Sequence, residues 1–195
     1  MIIKIKSSVV LLLVLVAVSG CSHVTTISTN ISPTAIAAQR NDIKTAITFT
    51  PELLAASSKS LLDGTMHEYT FNGGDALKAA LTRATEVVYT NVHYENTRST
   101  KELYQRQITY GLNYFDMNIS LSPGLFKSGV KATCNVSVSV EIYDGSGKLV
   151  SKQAASGNGI SSHSTGSPDK AKDYFAEAAQ KAIQQLADNV ANILM

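Results

Sequence analysis

The chain has 195 residues, 17 of them Lys or Arg and 15 Asp or Glu, for a formal net charge of +2. That length suits one domain built on a single hydrophobic core. No basic run or Lys/Arg stripe is present, which excludes the phosphate-neutralising surface on which nucleic-acid binding relies.

Lys4 and Lys6 precede an apolar segment from Val9 to Val18, and Ser19, Gly20 and Cys21 then supply small residues. This is the pattern of a secretory signal. It stops short of the roughly 18 to 20 apolar residues needed to span a bilayer. Ala17, Val18 and Ser19 also make a small-x-small site for ordinary signal peptidase, with cleavage before Gly20. Val18-Ser19-Gly20-Cys21 resembles the bacterial lipobox, in which the cysteine receives a diacylglyceryl group, is exposed by cleavage after Gly20 and is then N-acylated. Each buried methylene contributes about 0.8 kcal/mol, and two or more chains hold a protein stably. In the sorting pattern that this resembles, Ser22, not being aspartate, implies the outer membrane, with the domain facing the periplasm. Loss of Lys4 and Lys6 would leave 15 basic against 15 acidic residues. A lipidated Cys21 would leave Cys134 without an intrachain partner, and its alternating apolar surroundings suit a buried thiol.

The expected organisation is a signal peptide over 1–20, a lipidated cysteine and tether over 21–41, and one α+β domain over 42–195. Ser22 to Thr34 is rich in Ser and Thr and reads as the tether, able to span at most roughly 45 Å. Ile43, Ile47 and Phe49 alternate as a first strand. Thr50-Pro51-Glu52 then opens a short helix expected to run through Leu62. Asp63-Gly64 turns the chain into a short extended piece with Tyr69 and Phe71 on one side. Leu77, Ala80, Leu81, Ala84, Val87 and Val88 mark one face of a helix, capped at Gly74 or Asp75. Ile108, Tyr110, Leu112 and Tyr114 alternate in one register and Phe115, Met117, Ile119 and Leu121 in the other. Such a slip means a bulge in one long strand or a junction between two.

Cys134, Val136, Val138, Val140 and Ile142 give strict period-2 alternation. Asp144-Gly145-Ser146-Gly147 is the turn of a hairpin into KLVSKQAAS. GNGISSHSTG reads as a Gly/Ser loop. Ser167 and Pro168 open the last helix with Asp169 near its positive end, and Ala171, Phe175, Ala178, Ala182, Leu186, Val190 and Ile193 form its buried face. The expected fold class is an α+β two-layer sandwich, a mainly antiparallel sheet of about four strands covered by two long amphipathic helices.

No close spacing carries chemistry. His23, His67, His93 and His163 make no ligand pair, so no metal is expected. No serine lies in GxSxG or SxxK, and the glycines of NGGD and DGSGK lack phosphate-loop spacing. The chain is expected not to be an enzyme and to need no cofactor beyond the diacylglycerol and N-acyl chain on Cys21; a hydrolase acting through His67 or a carboxylate is the remaining catalytic alternative. Tyr104, Tyr110 and Tyr114 are candidates for a partner surface, although strand packing accounts for them too. The lipobox VSGC, the tether's TTIS and ISPT, the VSVSVEIYDGSGKLV hairpin and the Ala-rich last helix together resemble small outer-membrane lipoproteins of the YajG and LptE kind, and also the curli-assembly and TolB amino-terminal types. That resemblance implies an envelope protein partner rather than catalysis, with homo-oligomerisation open. Binding of a lipid, glycan or small solute is the alternative it leaves.

Overall fold

The computed structural model describes residues 22–34, 37, 39–62, 67–98, 103–122, 129–163 and 170–195. Gly20, Cys21, the Asp63-Gly64 turn and the expected cap Ser167-Pro168-Asp169 lie outside them. The strands are β1 (Ser22–Thr26), β2 (Asn41–Phe49), β3 (Ser57–Leu61), β4 (Glu68–Asn72), β5 (Tyr89–Tyr94), β6 (Arg106–Ser122), β7 (Gly129–Asp144) and β8 (Leu149–His163). The helices are α1 (Pro51–Leu54), α2 (Gly74–Val88) and α3 (Ala171–Leu194).

Two sheets replace the single one expected, a five-stranded sheet ordered β5-β2-β6-β7-β8 and a three-stranded sheet ordered β1-β4-β3. Both are mixed: β2 runs parallel to β5 and β6, and β1 parallel to β4, while β6, β7 and β8 form an antiparallel meander. The expected sandwich of one four-stranded sheet under two long helices is therefore incorrect. Among the described residues only α3, at 24 residues, is a long helix; α2 has 15 and α1 has 4.

The short helix ends far sooner than Leu62. Thr50 caps α1, its Oγ1 accepting from the Leu53 amide, and Pro51 takes the first helical position, but the chain leaves the helix at Ala55. β3 follows instead, with Ser58 and Ser60 inward and Lys59 and Leu61 outward. The reason lies on β6, whose pairing with β2 stops at Tyr110. Beyond that point Met117 N–H donates to Ser58 Oγ (3.0 Å) and Ile119 N–H to Ser60 Oγ (3.2 Å). Serine hydroxyls thus satisfy buried backbone donors that the ladder leaves open.

The register slip in β6 is a bulge within one strand of 17 residues, with Asn113 unpaired between Leu112 and Tyr114. It keeps Ile108 and Tyr110 on the same buried face as Phe115, Met117 and Ile119. The alternation in β7 also holds, with Cys134, Val136, Val138, Val140 and Ile142 all buried. Burial raises the Cys134 thiol to about 12, with the Asp116 charge a lesser cause. Asp144 closes the hairpin, its Oδ1 accepting from the amides of Ser146 and Lys148 and from Ser146 Oγ, while Gly147 takes a φ of +83° that favours glycine.

GNGISSH, expected as loop, is the second half of β8. A Cβ on Gly157 would lie 1.9 Å from Ala182 O, and one on Gly159 would lie 1.9 Å from Ala178 O. Here glycine in a strand marks close backbone approach: α3 brings its alanine face directly onto β8. Ala171, Phe175, Ala178, Ala182, Leu186 and Val190 are all fully buried. Burying a side chain such as Phe175 is worth about 1.5–3 kcal/mol. α2 is capped at Gly73 rather than Gly74 or Asp75. The amides of Gly73 and Gly74 donate to Ala56 O, and a Cβ on Gly74 would strike Leu54 O at 2.1 Å.

Ser22–Thr34, expected as a tether, lies on the domain. β1 pairs with β4, Ile27 and Ile31 are buried, and Arg83 Nη1 donates to Thr29 O and Ile31 O, both at 2.7 Å. Thr34 donates to Asp188 through its amide (2.6 Å) and hydroxyl (2.9 Å).

Candidate functional site

The three tyrosines do not share a surface. Tyr110 is wholly buried beneath α2, its hydroxyl 2.7 Å from Thr85 Oγ1, and the apolar surroundings push its ionisation upward. Tyr104 is 8% exposed and donates its hydroxyl to Glu95. Only Tyr114, on the bulged stretch of β6, is open, at 50%.

Pairing registers fix the two ends of the molecule. Ser22 stands beside Glu68 and Glu68 beside Leu61, while Ser60 lies against Ile119 near the finish of β6. β1 therefore begins at the end where β8 finishes and α3 starts. The β7–β8 turn occupies the other end, roughly 50 Å away along a strand that rises about 3.3 Å per residue. At this remote end Leu103 (55%), Leu149 (46%) and Val150 (61%) are exposed, and Gly145 packs against the Tyr104 carbonyl, which holds the loop of Leu103 beside the turn. The Arg98 guanidinium lies 4.2 Å over the Tyr143 ring, and Tyr143 donates to Glu141, itself paired with Lys152 at 2.7 Å. The Lys152 and Tyr143 hydrogen bonds hold the Glu141 carboxyl below the usual carboxylate range.

At the β1 end a cleft of about 490 Å³ is lined by Ser22, His23, Thr25, His67, Tyr69 and Lys172. His23 Nε2 and His67 Nδ1 are 3.0 Å apart, and the His23 ring stacks on Tyr69 with centroids 5.0 Å apart. The packing of Tyr69 against Phe71 and Phe175 ties this cluster to the core.

Ser161, His163 and Glu177 also meet, in a cluster that sequence spacing does not reveal. Ser161 Oγ lies 2.7 Å from Glu177 Oε2 and 3.1 Å from His163 Nε2, and that same nitrogen is 3.2 Å from Glu177 Oε2. A nucleophilic relay needs serine and acid on opposite ring nitrogens; here both crowd one. Lys181 bonds Glu177 Oε1 at 2.8 Å and, with Ser161 and His163, draws the carboxyl down to about 2. The arrangement fastens α3 to β8. Among the described residues no three His, Cys, Asp or Glu side chains gather to hold a metal ion, and no helix is long and apolar enough to cross a membrane.

No protein-family model and no curated protein matches the sequence. Among solved structures, the chain is similar to protein XCC0632 from Xanthomonas campestris, described under the family DUF330, at 11% identity and a TM-score of 0.52, covering 88% of this chain and 94% of that one. It is more distantly similar to a minor lipoprotein from Acinetobacter baumannii, at 9% identity and a TM-score of 0.46, over 80% and 92% of the two chains. The first likeness is one of fold; the second carries no argument about this chain.

Proposed function

We propose that the chain is an accessory lipoprotein of the bacterial envelope, anchored through Cys21 in the outer membrane, whose periplasmic domain docks a protein partner at the end remote from the anchor. The observation that carries the docking is the exposed set Leu103, Leu149 and Val150 around the β7–β8 turn. Exposed apolar side chains at one end of a rigid scaffold are what a partner of complementary apolar surface buries. The lipobox-like VSGC supports the anchor, and the resemblance to lipoproteins of the YajG and LptE kind agrees with both. A second reading, small-ligand binding, is favoured by the cleft at His23 and His67.

A photo-reactive residue at Val150 is expected to trap one discrete protein in intact cells, and Leu149→Asp should abolish that product. The same probe at Lys59, on the small sheet, should not trap it. Equal trapping at both positions, or none at either, rejects the docking surface. Cys21→Ser should free the protein from the membrane or leave its precursor uncleaved; an unmodified mature terminus at Gly20 rejects the anchor.

A further inference from the structure

We infer that β5 pairs antiparallel with β5 of a second copy of this chain, with the twofold axis at Val92. β5 is the last strand of the five-stranded sheet, and among the described residues no strand lies beyond it. Glu95 N–H donates to Ile47 O on β2 at 3.0 Å. Along a strand, successive residues turn their main-chain groups to alternate sides. Asn91 and His93 therefore face β2 as Glu95 does, and Thr90, Val92 and Tyr94 hold their N–H and C=O groups outward. Among the described residues none of these three makes a main-chain bond outside the sheet. The other edge of the same sheet is closed, because Lys181, Gln185 and Asn189 of α3 bond the main chain of β8. The sequence of β5, YTNVHY, holds neither Pro nor a charged side chain, the residues that usually blunt an open edge.

A second copy fits this edge in register and in charge. The outward groups are symmetric about Val92, so a copy rotated by half a turn sets Val92 against Val92 and Thr90 against Tyr94 on either side. Residues opposed in this way exchange both N–H···O bonds, which meets every outward donor and acceptor of the three. Lys78 Nζ lies 4.3 Å over the Tyr94 ring at one end of the edge, and Asp42 Oδ1 accepts from Thr90 Oγ1 at 2.6 Å at the other. Setting Tyr94 against Thr90 of the second copy brings lysine and aspartate together at both ends. A parallel copy would bring like charges together instead. Adjacent strands turn by roughly 20–25°, so β6 is inclined to β5 by about 45°, out of the plane of the pairing. A twofold axis normal to that plane preserves the inclination, and the β1 ends of both copies lean to the same side. The pairing rests on β5 and its neighbours alone, and needs neither the anchor nor the remote docking surface.

The test uses the full chain in a non-ionic detergent. Sedimentation velocity is expected to show a reversible dimer as concentration rises. Val92→Pro removes an N–H that points away from β2, so the fold should keep its circular dichroism while the dimer dissociation constant rises at least tenfold. Register is read separately by mild oxidation of cysteine variants, with the linked peptides identified by mass spectrometry. Val92→Cys should link residue 92 to residue 92. Thr90→Cys and Tyr94→Cys should link 90 to 94 when the two proteins are mixed, and each alone should give at least tenfold less self-linked product than Val92→Cys. A chain that stays monomeric at every concentration, a dimer that Val92→Pro leaves equally tight, or a 90-to-90 link as abundant as the 92-to-92 link overturns the inference. Should Val92→Pro lose its circular dichroism, the linkage pattern alone decides.

Discussion

Glu177 is one acid among many in the sequence, yet in the fold it receives Lys181, Ser161 and His163 and its carboxyl falls to about 2. A folded value below the unfolded carboxylate value of about 4.3 adds stability above that pH, and the contribution is lost as pH falls toward about 2. The side chain is 44% exposed, so solvent screens much of the gain. Glu177→Gln is therefore expected to lower the urea midpoint modestly at pH 6 and to converge with the parent protein near pH 2. A gap of equal size at both pH values would show that packing, not ionisation, is at stake. Single residues were legible where a period carried them. Cys134 reads as buried because it shares the alternation of β7, and Tyr110 because it shares that of Ile108. Grouping Tyr110 with Tyr104 and Tyr114 by residue type ignored that same period. The Ser161–His163–Glu177 cluster left no such trace, because it joins a strand to a helix whose relative placement no local pattern encodes.

Along α3 a polar row closes the free edge of β8. Lys181 Nζ donates to Ile160 O (3.0 Å), Gln185 Oε1 accepts from Asn158 N–H (2.8 Å) and Asn189 Nδ2 donates to Ser156 O (2.8 Å). Four helical residues advance about 6.0 Å and two strand residues about 6.6 Å, so the two ladders stay in step. Unpaired strand edges recruit other chains. The triple change Lys181→Ala, Gln185→Ala and Asn189→Ala is expected to leave the circular dichroism intact and to produce concentration-dependent self-association in sedimentation velocity. A triple variant that stays monomeric wherever the parent does would mean that something else protects the edge. The spacing of these residues is visible in the sequence, but what they face is not. The same gap explains two misread elements: GNGISSH looks like a loop until the alanine face of α3 is laid on it, and SSKSL looks like a helix continuation until β6 presents Met117 and Ile119.

At the scale of the whole molecule, the polarity of its two ends depends on whether Ser22–Thr34 is docked. A free segment of 13 residues would let the domain tumble within roughly 45 Å of a membrane. A docked one would fix the β1 end toward the anchor proposed at Cys21 and point the β7–β8 turn away. Docking rests on β1 pairing with β4, on burial of Ile27 and Ile31, and on bonds from Arg83 and to Asp188. Within residues 22–34 only Ile27 and Ile31 are buried, and the bonds to Asp188 and from Arg83 to Thr29 are exposed to solvent, so the segment should open below the free energy of global unfolding. Hydrogen exchange is expected to show the amides of β1 protected, though less than those of β7. In the double variant Arg83→Ala, Asp188→Ala, residues 27–34 should exchange at least tenfold faster while β7 is unaffected. Immediate exchange across 22–34 in the parent protein would mean a loose tether, and the remote end would then have no fixed direction in which to present Leu149 and Val150.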